Sequence, residues 1–102
     1  MKNSSENWVW RLEYPDDFAK LLKQFNRKQQ AKILKKIEEL APLQNPISHP
    51  QVIPLTEPRL RGKFRMKFSD VRVVFSLDTR DRIIQIELIA LRKESTYKKL
   101  GR

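Results

Sequence analysis

Apolar and polar residues along the chain divide it into two helical and four strand-like stretches. Residues 8–13 alternate, with Trp8, Trp10 and Leu12 on one side, which predicts a first strand whose tryptophans pack against helices. Pro15 with Asp16 and Asp17 marks a helix start, and Phe18, Leu21, Leu22 and Phe25 follow helical spacing. Asn26 is a break and a cap. A second helix over 27–40 then carries the stripe Ile33, Leu34, Ile37, Leu40 and Ala41, with Lys28, Lys32, Lys35, Lys36, Glu38 and Glu39 on its solvated face. The two helices form a hairpin that covers a sheet with one face.

Prolines at 42, 46, 50, 54 and 58 make residues 42–58 an extended connection, since proline neither donates to a ladder nor continues a helix. Beyond it the period becomes two. If 59–68 is a strand, Arg59, Arg61, Lys63, Arg65 and Lys67 share one face and Leu60, Phe64, Met66 and Phe68 the other. Ser69-Asp70 is a tight turn into a β-branched run beginning at Val71, the second arm of a hairpin. Residues 78–82 form another turn, and 83–91, the longest apolar run, suits a central strand. The tail, 92–102, is short and basic. The order β-α-α-β-β-β predicts an α+β fold, an antiparallel meander with a helix hairpin packed on it. At 102 residues it is one domain, 1–102, with a frayed start over 1–7.

Charge changes this picture from a fold to a surface. The net charge is +10, of which residues 1–58 contribute +2 and residues 59–102 contribute +8. A localised excess points to a polyanion site rather than to solubility charge. A membrane is the competing polyanion, but the second half holds no basic amphipathic helix, so nucleic acid is favoured. No apolar run approaches the roughly 18 residues of a spanning helix, and no signal core is evident at the start; a cytoplasmic location is expected. The chain has no cysteine, which removes disulfides and thiolate chemistry.

The familiar catalytic patterns are missing. No carboxylate pair, metal-ligand cluster, glycine-rich phosphate loop or Ser/His/Asp set stands at a motif spacing, so neither metal nor cofactor is expected. The single histidine, His49, has no visible partner and reads as a bystander. What remains is cationic. Pairing the last three strands in order gathers Arg65, Lys67, Arg72, Arg92 and Tyr97 on one face. Arg72 interrupts an apolar strand, so it must open to a groove or find an anion, a ligand or a carboxylate such as Glu87 or Glu94. Such a site can stabilise a pentacoordinate phosphorane. Cleaving RNA also needs a base for the 2′-OH and an acid for the 5′-oxygen, roles a lysine or tyrosine takes when crowded cations depress its pKa.

The run from Gly62 to Phe75, an aromatic-basic-x-basic strand, a tight turn, then Arg72 followed by β-branched residues, resembles the signature of the RelE/ParE toxin superfamily of toxin–antitoxin modules. The resemblance extends to the helix hairpin and to Ile89 through Tyr97, covering about Trp8 to Leu100. It implies a ribosome-dependent endonuclease that cleaves mRNA in the A site without a metal, silenced by a cognate antitoxin. On this resemblance Arg65 and Lys67 match the basic pair that includes a candidate base, and Arg72 the arginine that stabilises the transition state. Arg92 matches the arginine of phosphate contact and proton donation, and Tyr97 the tyrosine that stacks on the mRNA base. Arg59, Arg61, Lys63, Lys98 and Lys99 are expected to hold the RNA backbone. The chain departs from the family pattern in Arg65, where lysine is common, in an Arg92-to-Tyr97 spacing one residue shorter than in the best-known member, and in the long proline-rich connection. Two alternatives share much of this sequence pattern: a ParE-like inhibitor of DNA gyrase that cleaves nothing, and a plain nucleic-acid-binding module with strong salt dependence.

Overall fold

The computed structural model describes residues 8–91. Two helices, α1 (Phe18–Leu22) and α2 (Arg27–Glu38), precede most of a five-stranded sheet formed by β1 (Arg11–Glu13), β2 (Val52–Pro54), β3 (Lys63–Phe68), β4 (Val71–Asp78) and β5 (Ile83–Leu91). The spatial order is β1-β5-β4-β3-β2. The α+β class is as expected, but the sheet is mixed. β1 runs parallel to β5, pairing Leu12 with Ile84, because the helix hairpin carries the chain over one sheet face before it returns. The antiparallel expectation holds for the β2–β3, β3–β4 and β4–β5 pairs only.

Asn26 caps α2 as its sequence position predicts. Its Oδ1 accepts from Gln29 N at 2.8 Å, and Gln29 Oε1 accepts from Asn26 N at 2.9 Å, so two otherwise orphaned donors are satisfied reciprocally. The stripe Ile33, Ile37, Leu40 and Ala41 is fully buried. It meets the sheet face built by Met66, Phe68, Val73, Phe75, Ile84, Ile86 and Ile89.

The first strand is shorter than the alternation suggests. Val9 N and Trp10 N both donate to Ala41 O, at 2.8 and 3.0 Å, so these residues belong to a bend tied to the end of the helix hairpin. Trp10 is buried as expected for core packing. Its Nε1 donates to Gln44 O, and Arg82 Cζ lies 5.7 Å from its ring centroid.

The proline-rich connection also holds more structure than its composition suggests. Asn45 caps a 3-10 turn over Pro46–Ser48, and Val52–Pro54 adds an edge strand to β3. Proline is tolerated there because Pro54 sits at an edge, where a missing donor costs no ladder bond. A second 3-10 turn, Pro58–Leu60, precedes Gly62, which adopts φ +87°. That left-handed residue is where the chain enters β3, a conformation glycine takes without a Cβ penalty. Among the described residues no helix is long and apolar enough to cross a membrane.

Candidate nucleic-acid interface

The expected row of five cations is cut by Gly62. Arg59 lies in the 3-10 turn, 3.8 Å from Glu57, and Arg61 follows it, both exposed and outside the ladder. Only Lys63, Arg65 and Lys67 project from β3, on the face away from Phe64, Met66 and Phe68. The same face continues into β4. Register sets Lys67 opposite Arg72, Arg65 opposite Val74, and Lys63 opposite Ser76. Ser69, at φ 51°, closes the two-residue turn that makes Lys67 and Arg72 direct neighbours.

Like charges facing each other across a ladder stand about 5 Å apart at Cβ and destabilise a sheet. Arg72 adds a second cost. Its Nη1 is buried with no hydrogen-bond partner among the described residues. An orphaned buried donor of a charged group costs about 1–3 kcal/mol or more. The fold carries both at one point, and an anion there would relieve them.

Glu87 does not provide that anion. It is bonded by Lys63 Nζ through Oε1 and by Ser76 Oγ through Oε2, the latter at 2.7 Å. The alternative of an Arg72–Glu87 bridge is therefore not realised, and the other candidate carboxylate, Glu94, lies outside the described residues, as do Arg92, Tyr97, Lys98 and Lys99. Alternation along 84–87 sets Glu87 with Gln85 on the face away from Ile84 and Ile86, but not which cation it meets there. β5 carries an irregularity opposite Val74/Phe75, where Val74 pairs with Leu88 and Phe75 with Ile86, leaving Glu87 as the extra residue. The irregularity flips the alternation beyond it, so that Ile89 rather than Leu88 is buried with Ile84 and Ile86, and no glycine signals it.

Helix α2 and the connection hold the hairpin in place. Lys32 Nζ donates to Ser69 Oγ at 2.8 Å, tying the helix to the turn between Lys67 and Arg72. Lys36 Nζ donates to Gln51 Oε1 at 3.0 Å, and Gln51 O accepts from Lys67 N at 3.1 Å. His49 belongs to this brace and is no bystander. Gln51 N donates to its Nδ1 at 3.1 Å, which leaves Nε2 to donate to Glu39 Oε1 at 3.0 Å. The lysine bonds and the His49–Glu39 bond join segments ten or more residues apart, invisible to helical or strand periodicity.

The hydrogen bond from His49 holds the Glu39 carboxyl below its ordinary range; partial burial opposes this and Lys36 assists it. A lowered folded value means stability that is complete above the unfolded glutamate range and lost as pH falls through the folded value. Wild type should therefore exceed Glu39→Gln in stability above about pH 5. The difference should vanish toward acid and stay below about 1 kcal/mol, because the carboxylate side chain is 39% exposed. Urea melts of both proteins across pH check this; a difference that grows on acidification would contradict it.

No family model matches the sequence, and no curated protein matches it significantly. Solved structures do. The chain is similar to a protein of the archaeal RelE–RelB complex from Pyrococcus horikoshii OT3, at TM-score 0.68 and 21% identity over 84% of this chain and 98% of that one. It is similar to a protein of the RelBE2 toxin–antitoxin complex from Mycobacterium tuberculosis at TM-score 0.67, with 14% identity over 81% and 98%. The isolated Escherichia coli RelE toxin matches at TM-score 0.60, with 14% identity over 91% and 95%. The chain has the RelE fold across most of its length.

Proposed function

We propose that this RelE-fold chain is the toxin of a type II toxin–antitoxin module, a cytoplasmic, ribosome-dependent endoribonuclease that cleaves mRNA in the A site without a metal. The observation that carries the reading is Arg72, opposite Lys67 on a cationic sheet face, with Nη1 buried and unpartnered among the described residues. A phosphate meets that need, and a pentacoordinate phosphorane, with its extra charge, meets it better.

In this mechanism the ribosome holds the mRNA so that the scissile phosphate lies over Lys67 and Arg72. Removal of the 2′-OH proton lets that oxygen attack phosphorus, and the 5′-oxygen leaves with a proton from a general acid. Arg72 stabilises the transition state, Arg65 and Lys67 line the strand beside it, and proton transfer is assigned among Lys67, Arg92 and Tyr97. Arg65 itself serves as a phosphate ligand, since a guanidinium hardly deprotonates. Arg59, Arg61, Lys98 and Lys99 hold flanking backbone. Relatives with this fold occur in complexes with RelB. By the same logic this chain takes an antitoxin whose acidic residues neutralise the cationic face.

Toeprinting of mRNA on ribosomes with the purified protein tests the assignment. Cleavage within the A-site codon, unaffected by EDTA at concentrations that leave the ribosome intact and suppressed by the cognate antitoxin, is the expected result. No cleavage together with inhibition of DNA gyrase would replace this reading with the ParE-like one.

A further inference from the structure

Lys67 and Arg72 are like charges set face to face across a ladder, and their repulsion pushes β3 and β4 apart at that point. Antiparallel pairs alternate between hydrogen-bonded and open, and beside a two-residue turn the Lys67–Arg72 pair is the open one. The backbone of Lys67 therefore faces β2, and the grip on it comes from there: Lys67 N donates to Gln51 O at 3.1 Å. β2 is only three residues long, Val52–Pro54, and Gln51 lies one residue before it.

Gln51 is itself held by side chains. A regular antiparallel pair would return a bond from Gln51 N to Lys67; that N–H donates instead to His49 Nδ1 at 3.1 Å. Lys36 Nζ donates to Gln51 Oε1 at 3.0 Å. The far side of the His49 ring donates through Nε2 to Glu39 Oε1 at 3.0 Å, and the side chain is only 10% exposed. The histidine backbone is fixed as well. His49 N donates to Pro46 O at 3.2 Å, His49 O accepts from Val52 N at 3.0 Å, and Pro50 restricts His49 to the extended conformation that its ψ of 134° records. Both ring nitrogens are engaged within the brace, so the ring acts on Gln51 rather than on RNA.

We infer that His49 is a positioning residue for the reaction site: it orients Gln51, whose carbonyl holds the Lys67 amide and so keeps Lys67 beside Arg72 against their mutual repulsion. The effect on turnover rests on the proposed RNA cleavage; the hold on Lys67 is read without RNA. Two measurements on wild type, His49→Ala and His49→Asn test it. Asparagine keeps an acceptor within reach of the backbone N–H two residues on, the bond that Nδ1 makes, and is too short to reach Glu39. In His49→Ala the Lys67 amide should exchange with deuterium roughly tenfold faster by NMR, about the worth of one hydrogen bond. The amide of Ile33, fully buried in α2, should be unchanged. Cleavage on ribosomes should lose roughly tenfold or more in kcat with KM held within about twofold, because a small displacement of a reacting group slows the chemical step. His49→Asn should bring both the exchange rate and kcat back toward wild type.

An unchanged Lys67 exchange rate in His49→Ala overturns the inference. So does a rise that Ile33 shares, which is a general loosening of the fold, or one that His49→Asn fails to reverse. Faster Lys67 exchange with an unaltered kcat overturns it too, because His49 then braces the sheet edge without positioning the reaction. Wild type that leaves mRNA intact on ribosomes sinks the nuclease reading instead, and the exchange rates of the three proteins still decide whether His49 holds Lys67.

Discussion

Arg72→Ala is expected to slow mRNA cleavage on ribosomes by a hundredfold or more, the loss of roughly 3–4 kcal/mol that accompanies removal of one preorganised transition-state donor. Its melting temperature should stay level or rise slightly. The side chain faces Lys67 across the ladder, and its Nη1 is buried without a hydrogen-bond partner among the described residues. Removing it relieves a like-charge pair and an unmet desolvation cost, against some lost packing of its alkyl stem. Stability and activity should therefore move apart, the pattern of a strained functional site. Arg72→Lys should recover only part of the rate, because a point charge lacks the planar fork that grips phosphate oxygens. Quench-flow cleavage on programmed ribosomes and calorimetry of the free protein provide the two readouts. If Arg72→Ala unfolds the chain, the residue is structural and its catalytic assignment fails.

Phe75→Ala should do the opposite. Phe75 is fully buried in the cluster beneath α2, with its ring centroid 5.7 Å from that of Phe64. Truncating a buried phenylalanine costs about 3–5 kcal/mol, a large share of the roughly 5–15 kcal/mol that holds a domain together. For a chain of this size the melting temperature should drop by at least about 12 °C. At a temperature where the variant remains folded, cleavage per folded molecule should fall far less than in Arg72→Ala. A drop under about 4 °C would mean that the site collapses around the truncation better than its close packing implies.

The two positions differ in how far the sequence exposes them. Phe75 follows from strand alternation within 71–77, and Ile33, Ile37 and Leu40 from helical spacing, because burial imposes a period on whatever faces the core. Arg72 is legible as a charge that breaks an apolar run. Its setting is not. Whether it meets Glu87 depends on the register of β4 against β5, which nothing along either strand marks. The row from Arg59 to Lys67 misleads for a related reason: alternation assigns a face only while the chain stays a strand, and Gly62 at φ +87° ends that condition. His49 shows the same limit, since the Glu39 carboxylate that accepts from its Nε2 stands at the end of α2, ten residues away, and meets it only on folding.

By itself the sequence determined the α+β class, the helix hairpin with its Asn26 cap, the β3–β4 hairpin and the placing of Lys67 and Arg72 beside its turn. These are local facts, fixed by periodicity, capping and a two-residue turn. Only the tertiary structure decided that β1 joins β5 in parallel, that the proline-rich connection supplies an edge strand, and that Lys63 and Ser76 take Glu87 away from Arg72. Those outcomes depend on register and on contacts between residues far apart in the chain. A pattern read along one strand carries no information about its neighbour's offset, so the buried Nη1 of Arg72, without a hydrogen-bond partner among the described residues, becomes visible only when the sheet is assembled.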